Sequence, residues 1–354
     1  MNPEKDHELK RKFGNNLSNK ENEINFPVYK NIKNNITKNN FHKISKKNSK
    51  TQINVPSSHI IHIKKRLIPI SKPNQSNPQD LPEYFQEIIK NIKSTEPQNI
   101  LNYSINNIFS LQDTHFINEK ERKHIIESLI YQNYIWKLNP DSIYLTVNIM
   151  DRYINKNKIS SRDYEIIGLA SFLIGSKYED IYSPDAESLT KIFDFKYHYK
   201  YILEKESQIL QSLEYNLMYI SSYKILNLIY HLSKINDINV KNFANMILDF
   251  SLTDLNIMKY SQIKRAVACF LFAKKIFGIK SGNNIIKLLF SYDDNEMEKI
   301  VKKLFILLKD VVMLNQEQNL IAEKYRSSRF NSIFSVFEKK LNEKIKMRIK
   351  AKVA

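Results

Sequence analysis

The chain has 354 residues and a formal net charge of +18, enough for one large domain or two of ordinary size plus a flexible tail. No apolar run approaches the ~20 residues that cross a membrane, and the N-terminal residues lack the apolar segment of a secretory signal. The single cysteine, Cys269, cannot form an internal disulfide. We therefore expect a protein of the nucleus and cytoplasm with no membrane partner.

Residues 1–79 carry most of the positive charge. They hold 16 Lys or Arg against 5 Asp or Glu, and six of the ten prolines, among many Asn and Ser residues. This composition is typical of disorder, so we expect a disordered basic tail. Because the charge is concentrated there and not on one helical face, we expect no direct binding to nucleic acid.

A first amphipathic helix is predicted at about 81–93. Its apolar residues at helical spacing are Tyr84, Phe85, Ile88 and Ile92. From about 116 onward the period of 3.6 residues dominates, without the alternation of a β-strand. The helices predicted there are 118–137, 140–154, 161–181, 184–194, 198–214, 221–234, 239–255, 261–277, 283–290 and 294–313. Two consecutive groups of five helices indicate a duplicated all-α domain.

Prolines and capping residues support several of these boundaries. Pro140 and Pro184 each stand at a natural first helical turn, directly after the N-cap candidates Asn139 and Ser183. Gly278 follows helix 261–277 as an expected C-terminal stop.

Four charged residues interrupt the apolar stripes of the predicted helices. They are Arg122, Asp151, Lys177 and Glu206. An unpaired charge on a buried face costs several kcal/mol, so such groups pair with each other or with a partner protein. The alternative is that each lies at the edge of its stripe and reaches water. Periodicity alone leaves both interpretations open.

Several segments resemble cyclins, specifically mitotic cyclins of the A/B type. Within 138–185, YLTVNIMDRY and SKYEDIY are similar to the first cyclin box. The similarity continues through ILEKESQILQSLEYNL at 202–217, YSQIKRAVACFLFAKKIFG at 260–278 and VVMLNQEQNLIAEKYRSSRFNSI at 311–333. The nonapeptide AEKYRSSRF is typical of the end of the second box in mitotic cyclins.

The resemblance implies a domain organisation and a function. The fold would be all-α, with two tandem five-helix cyclin boxes at 116–219 and 220–322. A helix and linker at 80–115 would precede them, and a C-terminal extension at 323–354 would follow. The implied function is a regulatory subunit, not an enzyme, that binds and activates a cyclin-dependent kinase in mitotic cell-cycle progression. Neither a cofactor nor a metal is implied.

The resemblance also implies roles for the four charges. Arg122 and Asp151 correspond to a buried structural ion pair, whereas Lys177 and Glu206 correspond to residues that face the kinase. The apolar positions that cradle the kinase's C-helix correspond to Ile174, Tyr178, Leu210, Tyr215 and Leu217.

Two regions depart from the family pattern. The docking helix, where M-R-x-x-L-x-D-W-L is usual, has Glu121 and Ser128 in place of Met and Trp, and Glu165 replaces a usual Gln. We therefore expect weak or absent recognition of R-x-L substrate motifs. In the second box, Lys264 and Arg265 stand where small residues are usual, so a change in packing is expected there.

The tail contains a candidate degradation signal. Lys20, Glu21 and Asn22 form a K-E-N motif of the kind that the anaphase-promoting complex reads in mitotic regulators. An upstream destruction box is degenerate, because Gly14 stands where its leucine belongs. Such a short motif also arises readily by chance in a tail this rich in Lys and Asn.

Other classes of site find little support. The five glycines form no phosphate-binding loop, and His59 and His62 lack further metal ligands around them. Cys269 lies in the apolar segment AVACFLFA and is interpreted as a core thiol. The alternatives kept open are a transcriptional cyclin, a DNA-bound general transcription factor with the same fold, and a helical scaffold.

Overall fold

The computed structural model describes residues 85–99, 119–157, 159–160, 163–280, 282–313 and 319–353. The predicted tail, with Lys20, Glu21 and Asn22, lies outside these ranges. The regular structure of the described residues consists of fourteen α-helices and two 3₁₀ turns, without a β-strand. None of the helices described has the length and apolar character of a membrane-spanning segment.

We number the helices in chain order. The first six are α1 (Phe85–Asn99), α2 (Glu119–Ile135), α3 (Pro140–Lys156), α4 (Tyr164–Glu179), α5 (Ala186–Leu189) and α6 (Tyr199–Ser212). The next six are α7 (Ser222–Ser233), α8 (Ile238–Ser251), α9 (Leu255–Met258), α10 (Gln262–Phe277), α11 (Asn283–Phe290) and α12 (Asp294–Met313). The last two are α13 (Leu320–Arg326) and α14 (Ile333–Val353), and the 3₁₀ turns are Thr190–Phe193 and Ser328–Phe330.

The helices α2–α6 form a first helical group around α3 and α4. Every residue of α3 from 141 to 151 is buried, as is every residue of α4 from 166 to 176. The two helices approach closely at Gly175, where an added Cβ would lie 2.5 Å from Thr146 Oγ1 and 2.8 Å from Ser142 O. Glycine is therefore required for this packing. In the second helical group, α7–α12, the central pair is α8 and α10, with α7 and α12 packed against α10.

Capping explains where several helices begin and end. The side chain of Asn139 accepts a hydrogen bond from Asp141 N at 3.0 Å, and Pro140 occupies the first turn, as the sequence predicts. Gly278 ends α10 in the left-handed region, with φ 70°. The predicted start at Pro184 is wrong, because Asp185 is the N-cap of α5 and accepts from Ser188 N at 2.6 Å.

The first helix differs from its prediction in length and in its buried face. It extends to Asn99, and of the side chains described within 87–96, Ile89 and Ile92 are buried, whereas Ile88 is exposed. Near its end, Glu96 Oε1 accepts a hydrogen bond from Ile263 N, in the first turn of α10, at 2.7 Å. This contact attaches α1 to the second helical group.

Candidate functional site

Arg122 and Asp151 meet between α2 and α3. The guanidinium donates from Nε and Nη2 to the two carboxylate oxygens at 3.2 and 2.8 Å, and both side chains are only 1% exposed. The third guanidinium nitrogen, Nη1, donates to Leu252 O, just after α8, at 2.8 Å. A bidentate pair of this kind is a strong, charge-assisted interaction. It joins two helices of the first helical group and also links that group to the second.

Lys177 and Glu206 also meet, at the surface between α4 and α6. Lys177 Nζ lies 2.8 and 3.0 Å from the two carboxylate oxygens of Glu206. Lys177 is 48% exposed and Glu206 is 13% exposed. Lys177 thus lies at the edge of its apolar stripe and reaches water, which is the second of the two interpretations that periodicity left open. Because an ammonium has three donors and a carboxylate about four acceptor sites, both groups retain capacity for further hydrogen bonds.

Exposed apolar side chains lie on the elements that carry this ion pair. Tyr178, next to Lys177, and Tyr215, after α6, are both exposed. Leu210 and Leu217 are partly buried against the core, whereas Ile174 is fully buried beneath the surface. We call Tyr178, Leu210, Tyr215 and Leu217, together with the Lys177–Glu206 pair, the α4–α6 surface.

The sequence interpretation missed part of the exposed apolar area. Ile181 and Tyr182, just after α4, are 92% and 88% exposed, and Met218 is exposed after α6. Ile181 was predicted as the last residue of helix 161–181, but α4 ends at Glu179, so neither residue lies on a helical face. Exposed apolar patches of this kind mark interaction sites.

The docking helix, α2, borders a cavity of about 400 Å³. Its lining residues are Lys120, Glu121, His124, Ile125, Tyr164, Glu165 and Lys196. Glu165 accepts from Lys196 Nζ at 2.6 Å and from Tyr197 OH at 2.8 Å. Burial alone would raise the pKa of Glu165, but these two donors outweigh it and the pKa is lowered. Four of the seven lining residues, Lys120, Glu121, Glu165 and Lys196, have charged side chains.

Comparison with known proteins identifies the family. The N-terminal domain of cyclins matches residues 87–218, and the C-terminal domain of cyclins matches residues 220–339. The chain belongs to the cyclin family. Its two helical groups are accordingly two tandem cyclin domains. The relatives that it matches include mitotic cyclins of the B type.

Among these relatives are two mitotic cyclins. This cyclin is 32% identical over 200 residues to the G2/mitotic-specific cyclin-2 of Antirrhinum majus, covering 56% of this chain and 43% of the relative. It is 26% identical over 265 residues to the G2/mitotic-specific cyclin-B2 of Bos taurus, covering 73% and 64% respectively. The match thus spans about half to two thirds of these relatives' length.

A solved structure supports the fold. A viral cyclin from herpesvirus saimiri superposes with a TM-score of 0.56 at 18% identity, covering 63% of this chain and 97% of the viral chain. At this identity the similarity concerns the arrangement of helices and not the partner.

Proposed function

We propose that this cyclin is a regulatory subunit that binds and activates a cyclin-dependent protein kinase, and that it acts in mitotic cell-cycle progression. The observation that carries the proposal is the α4–α6 surface, where an ion pair with spare hydrogen-bonding capacity adjoins exposed aromatic residues. The mitotic assignment draws on the names of the relatives, which are G2/mitotic cyclins.

The proposed activation is a shift of conformational population. Kinase catalysis needs an ion pair between a strand lysine and a C-helix glutamate, which forms only when that helix is turned inward. A partner that binds only the inward state shifts the balance from 1:99 to 99:1 with about 5.5 kcal/mol of differential affinity. Tyr178 and Tyr215 supply apolar burial, while Lys177 and Glu206 bond to kinase backbone groups. The cyclin contributes no catalytic group of its own.

The test uses alanine at Lys177, at Glu206 and at both, with purified cyclin-dependent kinases and histone H1 as substrate. We expect kinase stimulation to fall by about tenfold or more, because truncating one partner of a desolvated charge pair costs about 2–5 kcal/mol. The matched control is Lys302→Ala, which removes an exposed lysine 3.2 Å from Glu298 on α12. Thermal melts of all variants should match that of the parent.

Two outcomes would count against the proposal. Unchanged stimulation by the double variant would remove the α4–α6 surface from the mechanism. Preferential stimulation of phosphorylation on the C-terminal repeats of RNA polymerase II, with no effect on histone H1, would favour a transcriptional cyclin.

We further propose that the tail directs removal of this cyclin by the anaphase-promoting complex through Lys20, Glu21 and Asn22. The support is the K-E-N sequence alone, since these residues lie outside the described ranges. Replacing all three with alanine should lengthen the protein's half-life through mitotic exit. If the triple variant disappears as fast as the parent, the motif is unused.

A further inference from the structure

Adjacent residues of α3 serve different parts of the first helical group. Asp151 binds Arg122 in the core, whereas the next residue, Arg152, donates from Nη1 to Asn216 O at 2.8 Å. Asn216 belongs to the turn that follows α6, which we define as residues 213–218. One helical turn further along α3, Lys156 reaches the same turn.

Lys156 makes two contacts at the end of α6. Its Nζ donates to Ser212 O at 2.6 Å and lies 3.1 Å from Glu214 Oε1. The last carbonyl groups of a helix have no partner within the helix and carry partial negative charge, so a cation there is favourable. Together with the Arg152 contact, this places two cations of α3 on backbone carbonyls at either side of Glu214 and Tyr215.

The turn between these anchors has a strained backbone. Glu214 and Tyr215 have φ of 54° and 55°, so two consecutive residues that are not glycine lie in the left-handed region. For such residues this conformation costs about 1–2 kcal/mol each relative to right-handed backbone. The amide of Tyr215 donates back to Leu210 O at 2.9 Å, and that of Asn216 donates to Leu213 O at 3.0 Å. The contact of Arg152 with Asn216 O is the one that ties this part of the turn to α3.

The same turn carries residues of the α4–α6 surface. Tyr215 is 67% exposed, and Leu217 packs partly against the core two residues later. Left-handed backbone at Glu214 and Tyr215 determines the direction in which the Tyr215 side chain leaves the turn. If the turn relaxed, the Tyr215 ring would leave it in a different direction.

We propose that Arg152 and Lys156 are positioning residues that hold the turn 213–218 in the strained form which presents Tyr215 and Leu217 to the kinase. The inference rests on the proposed function for its kinase-binding part. Its structural part concerns the cyclin alone and is measured without a kinase.

The first measurement is deuterium exchange on the isolated full-length cyclin. In Arg152→Gln and Lys156→Gln, peptides that contain residues 213–218 should exchange about tenfold faster, since their opening is no longer opposed by the side-chain contacts. Peptides of α8 should be unchanged. Arg152→Lys keeps the charge and should restore part of the protection. The matched control is Arg326→Gln, which loses a contact of 2.7 Å to Glu338 in a different region.

The second measurement is a double-mutant cycle on kinase affinity. Arg152→Gln should weaken binding by on the order of tenfold in the parent but have little further effect in Tyr215→Ala, because the two act through one contact. Lys177→Ala removes a different contact. When Arg152→Gln is combined with it, the fold losses of kinase affinity of the two single variants should multiply.

Each failure has its own signature. If the parent binds none of the kinases, the proposed function is wrong. If the parent binds and Arg152→Gln weakens binding without faster exchange at 213–218, Arg152 touches the kinase directly and the positioning role is overturned. Faster exchange with unchanged affinity also overturns it, because the shape of the turn would then not matter to the partner.

Discussion

Two arginines of this cyclin are buried to the same degree in different surroundings. Arg122 is bound by both oxygens of Asp151, whereas Arg265 donates from Nη1 to Met258 Sδ at 2.8 Å, and its Nε has no partner among the described residues. In the described part of the chain no carboxylate forms an ion pair with Arg265. A buried charge that lacks an opposite charge is costly, so the two sites are expected to respond oppositely to mutation.

Asp151→Ala should lower the free energy of unfolding by about 3–5 kcal/mol, because it leaves the Arg122 guanidinium buried without its counter-charge. Urea unfolding followed by circular dichroism measures the change. Asp310→Ala, at an exposed position of α12, is the control and should change stability by no more than about 0.5 kcal/mol. Superimposable unfolding curves for Asp151→Ala and the parent would contradict a structural role for the pair.

Arg265→Met should raise the free energy of unfolding by at least about 1 kcal/mol, since an apolar side chain of similar length replaces an uncompensated buried cation. The neighbouring Lys264 provides the control. Its Nζ lies 2.6 Å from Glu296 Oε1 in a partly exposed pair, so Lys264→Met should change stability by less than about 1 kcal/mol. A destabilised Arg265→Met would show that the guanidinium has an acceptor that compensates its charge.

At the scale of helices, the docking helix α2 and the start of α4 enclose the charged cavity described above. An R-x-L peptide needs an apolar groove for its leucine, and burying that side chain fully is worth about 1.5–3 kcal/mol. Here Glu121 and His124 line the cavity, and Ser128 Oγ donates to His124 O at 2.9 Å in place of a Trp ring.

We therefore expect no micromolar binding of an R-x-L peptide to the parent when measured by calorimetry. The variant Glu121→Met/Ser128→Trp restores the two missing apolar side chains and should bind more tightly than the parent. An identical peptide with alanine for leucine is the negative control. Micromolar binding by the parent would show that the charged cavity still accepts the leucine.

Helices with a clear apolar stripe, or with an N-cap before a proline, were predictable from sequence. The bounds of α11 and α12 agree with the prediction at both ends, and α3 begins at Pro140 as expected. The segment predicted as helix 184–194 is instead a helix of four residues followed by a 3₁₀ turn. Asp185 is a stronger N-cap than Ser183 at this point because it reaches Ser188 N.

Other features had no signal that sequence reasoning could use. Helix α13 has seven residues, fewer than the window over which periodicity is measured, and it was not predicted. The pairing of Arg122 with Asp151 was implied by the resemblance to cyclins, but the approach of Arg152 to Asn216 depends on left-handed backbone at Glu214 and Tyr215. Without glycine or asparagine at those two positions, the sequence does not indicate such a conformation.

At the scale of the whole molecule, α13 joins the two helical groups. Tyr131 of α2 donates to Glu323 at 2.7 Å, while the next residue, Lys324, binds Asp249 of α8 at 2.7 Å. Asp249 also accepts from Tyr144 of α3 at 2.6 Å. The A-E-K-Y segment thus contacts both groups through consecutive residues, and we expect the groups to unfold together.

Lys324→Met should reduce stability by about 3–5 kcal/mol, since it leaves the Asp249 carboxylate buried without its cation. The sole tryptophan, Trp136, follows α2 and packs against Phe172, so its fluorescence reports on the first helical group. Lys324 and Asp249 lie outside that group. In Lys324→Met the urea midpoint measured by Trp136 fluorescence should nevertheless fall as far as the midpoint measured by circular dichroism. Lys302→Met is the exposed control. A Trp136 transition that stays in place would show that the two groups unfold independently.

The contact between α1 and α10 has a practical consequence for anyone who shortens this chain. A fragment that begins at Glu119, the start of α2, would lack Glu96, and the amide of Ile263 would lose its acceptor. It would also lack Ile89 and Ile92, so the core surface that they cover would meet water and favour aggregation. A fragment for crystallisation or kinase assays should therefore begin at or before Phe85, so that it keeps α1, which the match to the N-terminal cyclin domain also includes.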